Sequence, residues 1–384
     1  MRFEFATATR VVFGPGALNE VAPLAAGMGS MALVVTGRSA ERAQPLVQDL
    51  VENGVDTVTF PVSGEPTTDM VRSGSEQALA SGCDLVIALG GGSALDGGKA
   101  IAALVTNGCD PYEYLEVIGQ GKALTEPPLP FIAIPTTAGT GAEVTRNSVL
   151  YAPEHKMKVS LRSPLMLPRL AVVDPELTYG LPPAVTASTG LDALTQVLEP
   201  YVSKMANPMT DAFCREGLRR VARSLRRACE QGNDAAARED MALTSLLGGL
   251  ALANARLGAV HGFAGLIGGM FPAPHGAICA RLLPGVMAVN VRALQARQPE
   301  SDALRRYDEV AKLLAENEFA VAADGVDWVQ SLVRTLDVPP LSSYGMTADD
   351  FPSLVEKVAN TSSMKGNPIE LMSSELEEIL ARAL

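Results

Sequence analysis

A change of texture near residue 182 constrains this chain more than any other feature. Before it, the short apolar, β-branched runs Ala32-Leu-Val-Val-Thr36, Asp84-Leu-Val-Ile-Ala-Leu89, Phe131-Ile-Ala-Ile-Pro135 and Leu170-Ala-Val-Val-Asp174 alternate with helix-length stretches such as 40–53 and 68–82. Strands that are apolar at nearly every position leave no face for water, so they call for a parallel sheet covered by helices on both sides. The first half is therefore expected to be α/β, built from βαβ crossovers. After Leu181-Pro-Pro183 such runs stop, and stretches with helical spacing follow at 208–231, 235–257, 304–317, 327–336 and 373–384. The expected organisation is an α/β domain over residues 1–182 and an all-α domain over residues 183–384.

A chain of 384 residues with 47% hydrophobic and 19% charged residues can bury two cores of this kind. No apolar run approaches the roughly 20 residues of a bilayer span. The opening Met1-Arg-Phe-Glu-Phe-Ala lacks the apolar centre of a signal peptide. No membrane partner and a cytoplasmic location are expected. The net charge of −12 repels a phosphate backbone, so nucleic acid is not an expected partner either. The locally basic stretch 219–227 alternates with apolar residues and reads as the solvated face of a helix. Cys83, Cys109, Cys214, Cys229 and Cys279 are odd in number and lack C-x-x-C spacing. They predict buried free thiols rather than disulfides or a thiolate metal site.

Two glycine-rich loops follow strands in the first half. In Ala88-Leu-Gly-Gly-Gly-Ser-Ala-Leu-Asp-Gly-Gly-Lys99 a strand runs into a turn and then a helix. Exposed backbone amides and the positive helix end could hold a phosphate there. The spacing is neither G-x-G-x-x-G nor a Walker loop, and a tight turn needing positive φ is the alternative. The second loop, Ile134-Pro-Thr-Thr-Ala-Gly-Thr-Gly-Ala-Glu-Val-Thr145, is rich in small hydroxyl side chains. Paired loops beyond strand carboxyl ends are where open α/β sheets bind ligands.

The second half holds two of the chain's three histidines, His261 and His275, in a stretch almost devoid of other polar side chains. Either one alone could be a core residue donating to a carbonyl. As a pair beside glycines they favour metal ligation, because burying unpaired imidazoles is costly. Asp192 and Gln196, at i and i+4, would share one helix face. Together the four offer an O/N ligand set for one divalent metal. Pro272 and Pro274 place His275 at a turn or a helix start. His155, in a charged turn, reads as a surface residue.

Taken in order, Gly90-Gly-Gly-Ser93, Pro135-Thr-Thr-Ala-Gly-Thr-Gly-Ala-Glu-Val144, Val173-Asp-Pro-Glu-Leu-Thr178, Gly190-Leu-Asp-Ala-Leu-Thr195, Ala259-Val-His-Gly262 and Pro274-His-Gly276 resemble the iron-containing (group III) alcohol dehydrogenase family, within the dehydroquinate synthase-like superfamily. The resemblance implies a dinucleotide-binding domain, a helical domain, and an active-site cleft between them. It also implies reversible NAD- or NADP-linked interconversion of a small alcohol with its aldehyde or ketone, with Fe2+ or Zn2+ as metal. By that resemblance Gly91, Gly92, Ser93 and Asp96 line the pyrophosphate and ribose. Thr136, Thr137, Thr140 and Leu181 also contact the cofactor, and Asp192, His261 and His275 hold the ion and are catalytic.

Three departures matter. The family has His where this chain has Gln196, and a second His where this chain has Gly265. An amide oxygen is a harder and weaker donor than imidazole, which points toward a harder or more loosely held ion. Many NAD-preferring relatives carry Asp where Gly37 stands, and here Arg38 is adjacent, so NADP is admissible. Two other readings stay open: a maleylacetate-reductase-like enzyme that needs no metal, and a catalytically silent dinucleotide-binding protein. The alternation of polar and apolar residues over 2–13 predicts an edge strand. A bare edge of that kind, with the resemblance, predicts a homodimer.

Overall fold

The computed structural model describes residues 2–384. They form two compact units, one of the residues up to Ala6 with Ala138–Thr140 and Tyr179–Leu384, the other of Thr7–Thr137 with Gly141–Thr178.

The second of these is α/β. Its elements run β1 (Val11–Phe13), α1 (Val21–Ala26), β2 (Met31–Thr36), α2 (Gln44–Glu52), β3 (Asp56–Pro61), α3 (Thr68–Ala80), β4 (Leu85–Gly90), α4 (Gly92–Asn107), β5 (Phe131–Pro135), β6 (Asn147–Ala152), β7 (Met157–Arg162) and β8 (Leu170–Val173). Among the described residues six strands form one sheet in the order β1-β8-β5-β4-β2-β3. All its pairings are parallel. Alternate residues of each strand enter different cores: Leu33, Val35, Val86 and Ala88 pack on one face, and Ala32, Val34, Leu85 and Ile87 on the other. That two-sided burial is why these strands carry no polar alternation.

Two elements were not legible. β3 is largely half-exposed at the sheet edge, and β6 and β7 form a separate antiparallel hairpin. Neither has the continuous apolar signal of the central strands.

The edge strand expected over 2–13 is corrected. Only Val11–Phe13 joins the sheet, pairing with β8. Upstream, the backbone is drawn to helical partners instead. The Ala6 amide donates to Asn254 Oδ1, the Asn254 amide donates to the Ala6 carbonyl, and the Phe5 ring packs 5.7 Å from Phe213.

The other unit contains α5 (Pro183–Val202), α6 (Pro208–Glu230), α7 (Ala235–Ala255), α8 (Ala259–Met270), α9 (His275–Arg297), α10 (Asp302–Ala315), α11 (Ala322–Thr335), α12 (Phe351–Val358) and α13 (Ser373–Ala383). α5 is buried at nearly every position from Thr186 to Val202. A glycine on α5 and one on α9 permit close approach. A Cβ on Gly190 would collide with Leu225, and one on Gly276, in the first turn of α9, would collide with the Ser188 carbonyl oxygen. α9 is long and apolar enough to cross a membrane, but 78% of its apolar window is buried in this core. The basic face of α6 is paired as well as solvated, since Arg220 and Arg223 both bind Asp240.

Lys99, on α4, is buried, and its Nζ donates to Ala142 O at 2.7 Å, Thr145 Oγ1 at 2.9 Å and Asn147 O at 2.8 Å. It ties the second glycine-rich loop to the helix that follows the first. Burial lowers its pKa to about 8 against the pull of Asp96 and Glu143, and with three acceptors it stays an ammonium at neutral pH. Burial also pushes the neighbouring Glu143 carboxyl up to about 7 from 4.5, and its Oε2 has no hydrogen-bond partner. A raised carboxyl favours the fold below its unfolded pKa, and that contribution is lost as pH rises through the folded value. Glu143→Gln should therefore melt about 2 to 4 °C above wild type near pH 8, with the gap closing near pH 4.5. Equal melting temperatures at the higher pH would contradict this.

Candidate active site

Three helices of the α-helical unit bring the metal candidates together. α5 carries Asp192, Gln196 and Glu199 on one face, at i, i+4 and i+7. His261 lies in the first turn of α8, and His275 opens α9 after Pro274. Asp192 Oδ1 is 3.4 Å from His261 Nε2 and 3.8 Å from His275 Nε2. The side chains of Asp192 and His261 are almost sealed, at 3% and 8% exposure, whereas His275 keeps 34%. The cluster is open on the His275 side.

Behind His261 stands a second carboxylate. Glu199 Oε2 lies 2.7 Å from His261 Nδ1, and Glu199 Oε1 accepts from the Val260 amide at 2.7 Å. A carboxylate on Nδ1 fixes the tautomer and leaves the Nε2 lone pair for a ligand. Gly258 makes room, since a Cβ there would lie 2.8 Å from Glu199 Oε1.

Electrostatics follow from this crowding. Burial drives the Asp192 carboxyl up, but His275, His261 and a hydrogen bond from the Gln196 amide outweigh it and hold it below its ordinary value. Burial lowers both imidazoles, and facing Cys279 and Asp192 more than reverses that, with Glu199 adding to the effect on His261. Two buried oxygens, Asp192 Oδ1 and Gln196 Oε1, have no hydrogen-bond partner. Orphaned acceptors of this kind carry a desolvation cost that a cation would offset. The donor set fits a divalent metal.

Cys279 also belongs to the cluster. Its Sγ and the donor atoms of Asp192, His261 and His275 all lie within 4.8 Å of one another. The sequence placed no cysteine beside the metal candidates, and the structure brings Cys279 among them. The thiol is buried and free, as expected, but it sits one turn beyond His275 on α9. Its signal in the sequence is the spacing His275-x-x-x-Cys279, which sets both residues on one helix face. Glu199 was missed because its partner lies 62 residues away in the chain.

The α/β unit holds the nucleotide candidates. Thr36, Gly37, Arg38, Arg42, Gly91 and Thr136 line one cavity of about 170 Å³ at the ends of β2 and β4. Gly91 precedes α4 with no side-chain cap, so Gly92 and Ser93 present the first-turn amides of that helix. The Thr136 amide donates to the Gly90 carbonyl, and Thr137 closes on Gly91. Asp96 is turned toward the hairpin, where Oδ2 accepts from the Val149 amide at 3.0 Å. Thr140 and Leu181 fall in the helical unit, and the Leu181 carbonyl lies 3.5 Å from Arg238. His155 is exposed, as expected.

Residues 8–175 match the iron-containing alcohol dehydrogenase family, and residues 186–384 match the C-terminal part of that family. The chain belongs to the iron-containing alcohol dehydrogenase family. It is 36% identical to the 1,3-propanediol dehydrogenase of Citrobacter freundii over 384 residues, 97% of this chain and 96% of that one. It is 37% identical to alcohol dehydrogenase 4 of Schizosaccharomyces pombe over 379 residues, 97% and 87% of the two chains. A crystal structure of a 1,3-propanediol oxidoreductase covers all of both chains with TM-score 0.91 at 34% identity. An alcohol dehydrogenase from Oenococcus oeni does so with TM-score 0.92 at 30% identity.

Within this iron-containing alcohol dehydrogenase the departure at Gly265 is not forced by crowding, because a Cβ there meets nothing within 4 Å. The Glu199–His261 contact yields a test. Glu199→Gln keeps the size and an acceptor oxygen but removes the charge, and metal affinity should fall about tenfold, as for other partners of metal-bound histidines. Unchanged affinity in a competition titration with a chelator would show that Glu199 does not orient the imidazole.

Proposed function

We propose that this enzyme interconverts a small alcohol and its aldehyde or ketone, with NADP(H) as hydride carrier and one divalent metal held by Asp192, His261 and His275. The division of labour belongs to the proposal, with nucleotide binding in 1–182 and metal binding in 183–384. The observation that carries it is the convergence of three donors on a cluster closed around Asp192 and His261 and open at His275, in which Asp192 Oδ1 has no partner. A silent protein or a metal-free reductase has no use for that arrangement.

A bound divalent ion supplies Lewis acidity, which lowers the pKa of an alcohol so that hydride can leave its carbon. The chain supplies the rest. Asp192 brings the negative charge, and Glu199 keeps His261 in the productive tautomer. The exposed side of His275 leaves room for substrate, and the buried helical wall excludes water elsewhere. With Gly at 265, the substrate proton leaves without an imidazole at that position.

For the cofactor, the first turn of α4 offers uncapped amides and a positive helix end to a pyrophosphate. Beside it the cavity carries two guanidinium groups, Arg38 and Arg42, and no carboxylate among its lining residues. Thr36 Oγ1, buried at its edge, has no partner. Two arginines suit a 2′-phosphate, which supports NADP over NAD. Assembly as a homodimer through the N-terminal edge is part of the same reading, supported by the exposure of Phe3 and Val11.

The decisive variant is His261→Ala. In chelator-treated buffer it should lose bound metal and at least a hundredfold in alcohol oxidation, on the order expected when an imidazole ligand is removed, while circular dichroism stays native. Wild-type turnover in that variant would end the metal-dependent reading. Gly37→Asp is accommodated sterically, since nothing lies within 4 Å of its Cβ position. It should raise the KM for NADPH at least tenfold more than that for NADH, through charge repulsion with the 2′-phosphate. Equal changes would place the adenosine ribose elsewhere.

A further inference from the structure

The donor expected to complete the metal set was Gln196, whose amide would favour a harder ion. The geometry points to a different fourth donor. We propose that the Cys279 thiolate, and not the Gln196 amide, completes the set, making this a Cys-His-His-Asp site selective for zinc over iron and harder ions. The inference rests on the metal-dependent reading above and names the ligand that sets its metal.

Metal–nitrogen and metal–oxygen bonds of about 2.0–2.1 Å and a metal–sulfur bond of about 2.3 Å give tetrahedral ligand–ligand edges near 3.3–3.6 Å. Here Asp192 Oδ1 stands 3.4 Å from His261 Nε2 and 3.8 Å from His275 Nε2, and Cys279 Sγ stands 3.7 Å from His275 Nε2 and 4.0 Å from His261 Nε2. Four edges of the polyhedron therefore already exist, and closing them on an ion takes shifts of a few tenths of an ångström. The sulfur's position is built in. His275 and Cys279 occupy successive turns of α9, so both point to one side of that helix. Cys279 is fully buried, which removes a free thiol's other use, reaction with solvent oxidants.

Gln196 is committed differently. Its side chain reaches the Asp192 carboxyl, one turn away on α5, and leaves Oε1 without a partner. Its Cβ is also pinned by α7, where any side chain at Gly248 would approach within 3.0 Å. Gln196 is thus a positioning residue for Asp192. Exchanging an imidazole for a thiolate in the donor set moves it toward softer ions, and Cys, His and carboxylate together are a zinc combination. The exposed side of His275 would leave a substrate oxygen access to such an ion.

Two measurements on the whole enzyme test this without turnover. X-ray absorption at the zinc edge of the wild-type holoenzyme should show one sulfur scatterer at about 2.3 Å. After cobalt exchange, wild type should show an intense sulfur-to-cobalt charge-transfer band in the near ultraviolet. That band should vanish in Cys279→Ser and persist in Gln196→Ala. A metal shell of nitrogen and oxygen alone in wild type would overturn the inference and leave the metal-dependent reading standing. Wild type that binds neither zinc nor cobalt would overturn both. If Cys279→Ser does not fold, the wild-type absorption spectrum decides alone.

Discussion

A carboxylate with nowhere to go is the constraint on which the helical unit turns. Asp192 sits in the middle of α5, on a helix buried along almost its whole length, with one oxygen unbonded. A charged group in that position is costly unless opposite charge compensates it. The surrounding helices are arranged to do so. α8 and α9 each begin where an imidazole can face Asp192, and Gly276 is the residue whose missing side chain lets α9 start that close to α5. The polar chain continues outward through Glu199 to the amides that open α8, and through Asn367 to Asn290 and Tyr307. A network with most members satisfied and two neighbouring oxygens, Asp192 Oδ1 and Gln196 Oε1, left open is the signature of a site awaiting a cation.

The α/β unit solves a different problem with backbone. Its strands end in glycines and threonines, so the groups presented are amides and hydroxyls, with charge added only by Arg38 and Arg42. Lys99 spends its ammonium internally, on two carbonyls and a threonine of the neighbouring loop. Lys99 is thus a tether for the loop.

Much of this was readable from the chain because the governing patterns are local. Central strands buried on both faces are apolar at every position, and β2, β4, β5 and β8 lie within a residue of where those runs placed them. α6 and α13 likewise follow their helical spacing closely. Asp192, His261 and His275 stood out because polar groups are rare in apolar sequence. What escaped depends on partners distant in the chain. Residues 2–10 alternate like a strand but are claimed by Asn254 and Phe213. β6 and β7 are partly exposed and announce themselves only as a pair. Glu199 and Cys279 acquire meaning only when α5, α8 and α9 meet.

The central claim is that Asp192, His261 and His275 enclose one divalent ion. Diffraction from wild-type crystals, recorded on both sides of the zinc and iron absorption edges, tests it directly. The account predicts a single anomalous peak per chain, within bonding distance of Asp192 Oδ1 and both Nε2 atoms. A metal peak located elsewhere, or density showing Asp192 Oδ1 hydrogen-bonded to water with both imidazoles turned away, would contradict it.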